Sequence, residues 1–256
     1  MSLQDALRLG SVDPDHVQIL PFGLDGVLVR FAVTAEPWAT QAAQAFHDYA
    51  RSADLPFICE RAPSLSSVLL RFDPAQITRE AAAARIESLL DAHDWRKATP
   101  RAPERLWTIP VAFGGAHGPD LEAAAELAGM RPEAAIAEIT GLELRVLAIG
   151  FAPGQPYLGL LPEAWNLPRM EQINPQVPKG AIALAVRQLV LFANPSPTGW
   201  RQIGRTAFAP FRPEAEPAVP LRAGDALRLS AVSGDEMTAL LDRGDPAGGA
   251  LCESVT

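Results

Sequence analysis

Cysteine, basic charge and long apolar runs are all scarce in this sequence, and each scarcity removes a class of protein. The two cysteines, Cys59 and Cys252, lie far apart and outside any CxxC or Cys/His spacing. Neither a zinc site nor a disulfide framework is therefore signalled, and a reducing cytoplasm is the expected compartment. Lys and Arg total 22 against 30 Asp and Glu, a net charge of −8, which argues against nucleic acid or anionic lipid as a partner for the surface as a whole. No apolar run approaches the roughly 18 residues of a membrane span. The opening MSLQDALRLGSVDPDH lacks the charged start, apolar stretch and cleavage site of a signal peptide, so export is not expected. What is present is material for a core: 48% hydrophobic residues over 256 positions suffice for one large domain or two modest ones.

Periodicity divides the chain. After Pro21, VLVRFAV (27–33) reads as a strand, and Glu36-Pro37 opens the Ala-rich helical pattern WATQAAQAFHDYARSA. FICERA (57–62) and SSVLLRFD (66–73) read as two further strands, and TREAAAARIESLLDAH (78–93) as a second helix. The order β-α-β-β-α predicts a small ferredoxin-like, split-βαβ unit over residues 1–96. KATPRAPER (97–105) interrupts the pattern with two prolines among basic residues, as a linker does.

A second domain is expected over 106–245, beginning with the strand LWTIPVAF (106–113), the Gly-rich turn GGAHGPD (114–120) and two short helices, LEAAAELAG and RPEAAIAEIT. From LELRVLAIGF (142–151) the pattern changes to short apolar strands between Pro and Gly clusters: AIALAV (181–186), LVLFA (189–193), GWRQIGRT (199–206) and ALRLSAV (226–232). That spacing predicts an antiparallel barrel or sandwich, with residues 246–256 as a frayed tail. The whole is an α+β fold.

GFAPGQPYLGLLPEAWNLPRM (150–170) holds four prolines and three glycines and is expected to be a loop presenting aromatics without ladder hydrogen bonds. Tyr157 in its middle is expected at a pocket wall or partner surface, and Trp200, opening a strand, in a buried position. None of the four histidines forms an HExxH pair or adjoins a nucleophile motif. His47 and His93 read as partly exposed helix residues. His117 belongs to a plain strand-to-helix turn, because Asp120 in the first helical turn opposes an anion there. Arg169, Lys179, Arg187, Arg201 and Arg205 gather cations in the loop-rich half, against the plainer reading of a solvated strand face. Lys179 and Arg205, each beside a glycine (Gly180, Gly204), are the preferred pair for a carboxylate or phosphate.

The stretches IPVAFGGAHGPDLEAAAELAGM, RVLAIGFAPGQPYLGLLP, LPRM, VPKGAIALA, SPTGWRQIGRT and LRAGDALRL resemble, in order and spacing, the family of the B-type subunit of 5-oxoprolinase. That family includes allophanate hydrolase subunit 1 and the KipI sporulation-kinase inhibitor. The resemblance covers essentially residues 20 to 232. It implies a ferredoxin-like N-terminal part and a cyclophilin-like antiparallel β-barrel, similar to part of the carboxyltransferase region of urea carboxylase. It also implies a component incomplete by itself, working with a C-type 5-oxoprolinase subunit (allophanate hydrolase subunit 2) and an A-type 5-oxoprolinase subunit to cleave 5-oxoproline to glutamate with ATP. ATP is expected at the level of the complex, and the chain carries no metal or biotin attachment motif. Tyr157, Lys179, Gln188 and Arg205 are the candidate substrate-binding residues, with Lys179 and Arg205 expected to stabilise charge that develops on the activated amide. Phe151, Pro153, Gly154, Pro156, Leu158 and Trp200 become candidates for a loop or partner surface; no catalytic residue is assigned.

Several positions depart from the family pattern. Ile139 stands where a His is common, Ala181 replaces Ser, Leu189-Val190 replaces Thr-Gly, Phe192 replaces Tyr, and Gln155 replaces the second Phe of the loop. Each lost polar group removes a hydrogen bond worth about 1 kcal/mol, which marks a divergent member acting on 5-oxoproline or on a related amide or urea. The alternative is a KipI-like inhibitor of a sensor histidine kinase, with Tyr157, Leu158 and Leu161 as apolar anchors. Prolyl isomerisation by the barrel is the weaker reading, since a fold alone does not confer an activity.

Overall fold

In the computed structural model the chain divides into two compact units, Met1–Arg101 and Ala102–Thr256, and the structure describes residues 17–34, 36–100 and 102–255. The N-terminal unit is a four-stranded antiparallel sheet with two helices. β1 (Gln18–Phe22) and β2 (Gly26–Arg30) form a hairpin, followed by α1 (Pro37–Ser52), β3 (Ile58–Pro63), β4 (Ser67–Phe72) and α2 (Arg79–Leu90). The sheet order is β1-β2-β4-β3, so β4 inserts between the two strands that α1 connects, which is the split-βαβ arrangement read from the sequence. β1 is an addition to that reading. It occupies the edge beside β2 that the ferredoxin-like pattern gives to a strand after the second helix, and Pro21 within it hides it from any alternation.

Helix α1 starts with Pro37 in its first turn and buries Ala39, Ala42, Ala43, Phe46 and Ala50 at helical spacing. Phe31, Phe46 and Trp95 meet edge to face, with ring centroids 5.8, 6.3 and 5.2 Å apart. The Trp95 indole N–H donates to the Leu90 carbonyl at 2.8 Å, so the ring enters the core without an orphaned donor. His47 is buried at 6% exposure, not partly exposed as expected, because it lies on the alanine-lined face of α1. His93 falls beyond α2, its ring centroid 4.6 Å from that of Tyr49.

In the second unit, β5 (Arg105–Phe113) opens a ring completed by β6 (Leu144–Ile149), β7 (Pro156–Gly159), β9 (Ala181–Ala185), β10 (Gln188–Leu191), β12 (Arg201–Arg205) and β13 (Ala226–Ala231). The ring order is β12-β9-β10-β7-β6-β13-β5, closed where Gly204 and Arg205 of β12 pair with Phe113 and Ala112 of β5. Every pairing in it is antiparallel except β13 with β5, which is parallel. The expected antiparallel barrel is thus present, and it carries a single parallel seam, because an odd number of strands cannot alternate direction all the way round a closed ring. β8 (Asn174–Val177) and β11 (Ser196–Thr198) form a separate two-stranded ribbon.

Two expectations are overturned. β7 lies inside the Pro- and Gly-rich segment and pairs with β10 on one side and β6 on the other. The segment is therefore not a ladder-free loop: Pro156 is the first residue of the strand, where its missing N–H costs least. The tail is not frayed either. β14 (Leu251–Ser254) pairs with Arg105–Thr108 of β5, covering the half of that edge which β12 leaves open and satisfying its backbone groups.

One core fills the barrel. Ile109, Val146, Leu158, Leu184, Leu189 and Ile203 from the strands meet Leu121, Ala124, Ala135 and Ile139 from α3 (Leu121–Leu127) and α4 (Pro132–Gly141). A further helix, α5 (Gly234–Asp242), is capped by the Ser233 hydroxyl, which accepts from the Glu236 N–H at 3.2 Å. Asp225 ties the parallel seam. Buried at 5% exposure, it accepts from Arg105 Nε at 2.9 Å, Trp107 Nε1 at 3.2 Å and the Arg222 N–H at 2.8 Å, and pairs with Arg105 Nη2. Among the described residues no helix is long and apolar enough to cross a membrane.

Candidate functional site

Alternation along β7, β9 and β10 sends Leu158, Ile182, Leu184, Leu189 and Leu191 into the barrel, leaving Tyr157, Ala183, Ala185 and Val190 on the opposite face. The register sets Val190 beside Tyr157 on one side and Ala183 on the other. Val177 of β8 and Trp200, next to β11, pack on this outward face. There a cavity of about 290 Å³ remains, reached by Gln155, Tyr157, Arg169, Phe192, Thr198 and Trp200, with Phe151 and Ile173 also in its lining.

The walls are aromatic and the polar groups few. The Tyr157 and Trp200 rings lie edge to face at 6.1 Å, and the Arg169 guanidinium stands 5.6 Å from the centroid of the Trp200 ring. The Thr198 hydroxyl accepts from the Trp200 N–H at 3.0 Å. Gln155 is 1% exposed, and its Oε1 has no hydrogen-bond partner among the described residues. Phe151 and Ile173 are 80% and 62% exposed. Phe151 holds a φ of 68°, a backbone region that costs a bulky residue strain.

Of the residues singled out in the sequence, Tyr157, Phe151 and Trp200 meet at this cavity. Gln188 lies on β10 two residues from Val190, opposite Gly159, buried and with its Oε1 also lacking a partner among the described residues; it is outside the lining. Lys179 and Arg205 do come together, because Arg205 Nε donates to the Lys179 carbonyl at 3.4 Å, yet neither lines the cavity. Their glycines have a packing role: a Cβ on Gly180 would fall 2.1 Å from the Thr206 carbonyl oxygen, and one on Gly204 would fall 2.8 Å from Val111. Gly154, at φ 72°, makes the turn before β7 where a Cβ would sit 2.4 Å from the Pro210 carbonyl oxygen. Pro153 is exposed and Pro156 buried. Leu158 and Leu161 are fully buried in the barrel core, so they are not surface anchors; the inward pleat of β7 places Leu158 there.

Arg169 is the cation that sequence reasoning left undistinguished among five. Two other arginines are engaged: Arg187 donates to the Leu161 carbonyl at 2.8 Å and pairs with Glu163 at 2.6 Å, and Arg201 donates to the Pro168 carbonyl at 2.5 Å. Arg169 makes no ion pair among the described residues, and its place after Pro168 in LPRM was the available signal. The GGAHGPD turn is structural, as read: Asp120 accepts from the Gln202 N–H and the His117 carbonyl from Gln202 Nε2, each at 2.8 Å.

The cavity lies at the small end of the range for small-molecule sites, about 300–1,000 Å³. One cation, Arg169, is in its lining. Those features fit a small monoanion and do not fit a nucleoside triphosphate.

Residues 17–221 match the family described as carboxyltransferase domain, subdomain C and D. A protein of Bacillus subtilis (strain 168), named as the B-type subunit of 5-oxoprolinase, is 30% identical over 223 residues, 84% of this chain and 93% of that protein. The crystal structure of TTHA0988 is similar at a TM-score of 0.66 and 30% identity over 82% of this chain, which spans 40% of that chain. The urea amidolyase of K. lactis shares the fold over 93% of this chain, at a TM-score of 0.70 and 16% identity, and this chain spans 16% of it.

Proposed function

The chain belongs to the carboxyltransferase-domain family of subdomains C and D, and from that premise we propose that it is the B-type subunit of an ATP-dependent 5-oxoprolinase or a related amide hydrolase. The observation that carries the reading is the small cavity on the outward face of the barrel, where aromatic walls, a guanidinium without an ion pair among the described residues and a buried carboxamide converge. A component of this kind binds and orients. Arg169 takes the substrate carboxylate in a charge-assisted pair, Tyr157 and Trp200 enclose the apolar ring, and the enclosure excludes water from the amide. Because the cavity does not fit a nucleoside triphosphate, ATP is assigned to an A-type or C-type partner. Lys179, exposed, is the cation left for charge that a partner brings.

The kinase-inhibitor alternative loses two of its three anchors, since Leu158 and Leu161 face the core. The deciding experiment mixes the chain with candidate C-type and A-type partners and follows ADP release with and without 5-oxoproline. Release that requires both the lactam and this chain is expected. Release that proceeds equally without this chain overturns the assignment.

A further inference from the structure

The N-terminal unit holds a second cavity, which the proposed role in the hydrolase does not use. It lies at the C-terminal end of α2, measures about 360 Å³ and is lined by residues of that unit alone. Trp38, His93 and Trp95 give it aromatic walls and Leu90 an apolar one. The Trp95 indole N–H is already donated to the Leu90 carbonyl at 2.8 Å, so what Trp95 offers the cavity is ring surface. Aromatic walls of this kind attract cations. Arg96, also in the lining, holds its guanidinium 4.2 Å from the centroid of the Trp38 ring.

The charges around the cavity are out of balance. Glu87, in the last turn of α2, and Asp91, its C-cap, both reach the lining. One helical turn separates them, so the two carboxylates share a face of the helix, where like charges repel. Both also stand at the negative end of the helix dipole, a position that favours Lys, Arg or His, and the last turn of α2 contains no basic residue. Among the described residues neither carboxylate has an ion-pair or hydrogen-bond partner, Arg96 included. Asp94, the third carboxylate of the lining, is taken by Lys97 at 2.9 Å. The end of α2 therefore gives up stability that a bound cation would return. A hard divalent metal takes oxygen ligands and would leave the aromatic walls unused. An organic cation uses both, the carboxylates for its head and the rings for its stem.

We infer that this cavity is a binding site for a small aliphatic amine: its ammonium or guanidinium group lies between Glu87 and Asp91, and its methylene stem runs along Leu90, His93 and Trp95. The site is in the other unit from the outward-face cavity and does not depend on the hydrolase reading.

The test follows the assigned indole N–H signals of Trp38 and Trp95 by NMR while the full chain is titrated with putrescine, with agmatine and with the straight-chain butanediol that carries a terminal hydroxyl in place of each ammonium of putrescine. Both amines are expected to move the two signals saturably, and the diol to leave them in place. Glu87 and Asp91 are exposed, so the isosteric double variant Glu87→Gln/Asp91→Asn is expected to fold. It weakens both amines about 10-fold or more, and without ligand it melts no lower than the wild-type chain, because a repulsion has been removed. In the wild-type chain, no response to either amine, an equal response to the diol, or the same shifts with magnesium chloride at matched ionic strength would each overturn the inference. So would amine affinities that survive unchanged in the double variant, or a double variant that melts lower.

Discussion

Asp225 shows what a single side chain does for the barrel. It receives donors from two residues of β5 and from the backbone of the turn before β13, so one carboxylate holds both sides of the parallel seam. Removing it leaves the Arg105 guanidinium largely enclosed without its counter-ion, the costly way to break such a pair. Asp225→Ala is expected to destabilise the barrel by about 3 kcal/mol, measured as a lower urea midpoint at unchanged slope. Equal midpoints would mean that water replaces the carboxylate at no cost. At the same scale, the cavity residues were unequally legible. Tyr157 stood out because an aromatic amid prolines and glycines has few structural uses. Gln155 showed only as a departure from a resemblance, and Arg169 as one cation among several. Hydrogen-bond vacancy and ion-pair vacancy arise from tertiary contacts, which no local pattern encodes.

Elements that stand on a strong period, such as α1 with its buried alanines or β9 and β10 with their apolar runs, were read from sequence within a few residues. β1, β7 and β14 were not, and the reasons differ. β1 and β7 each contain a proline, which local reasoning counts against a ladder although an edge or a strand start tolerates it. β14 exists because β5 offers an open half-edge, a condition set 140-odd positions earlier in the chain. Helix ends follow local rules more closely. Thr78 caps α2, its hydroxyl accepting from the Ala81 N–H at 3.3 Å, and Thr78→Ala is expected to cost about 1 kcal/mol. Unfolding followed through Trp95, whose ring lies in the core of that unit, would reveal the loss; an unchanged midpoint would assign the cap no part in stability.

On the scale of the molecule, the two units bury separate cores. Phe31, Phe46 and Trp95 belong to one, and Ile109, Leu158 and Trp165 to the other. A fragment spanning residues 102–256 is therefore expected to unfold in one cooperative calorimetric transition. A broad, non-cooperative trace would show that the barrel depends on the N-terminal unit. The separation of the units was legible from composition, since KATPRAPER interrupts both periodicities. The odd strand count of the ring was not, because it depends on how β12 returns to β5.

The parallel seam also dictates an order of events during synthesis. Arg105 and Asp225 are 120 positions apart, so β5 leaves the ribosome long before β12 and β13 exist to cover its edges. Throughout that interval a nine-residue apolar strand is available to pair with any other nascent chain. Pro110, in the middle of β5, interrupts its row of backbone donors, and Arg105 places a charge at its start. Both residues guard the unfinished polypeptide until the ring closes over them.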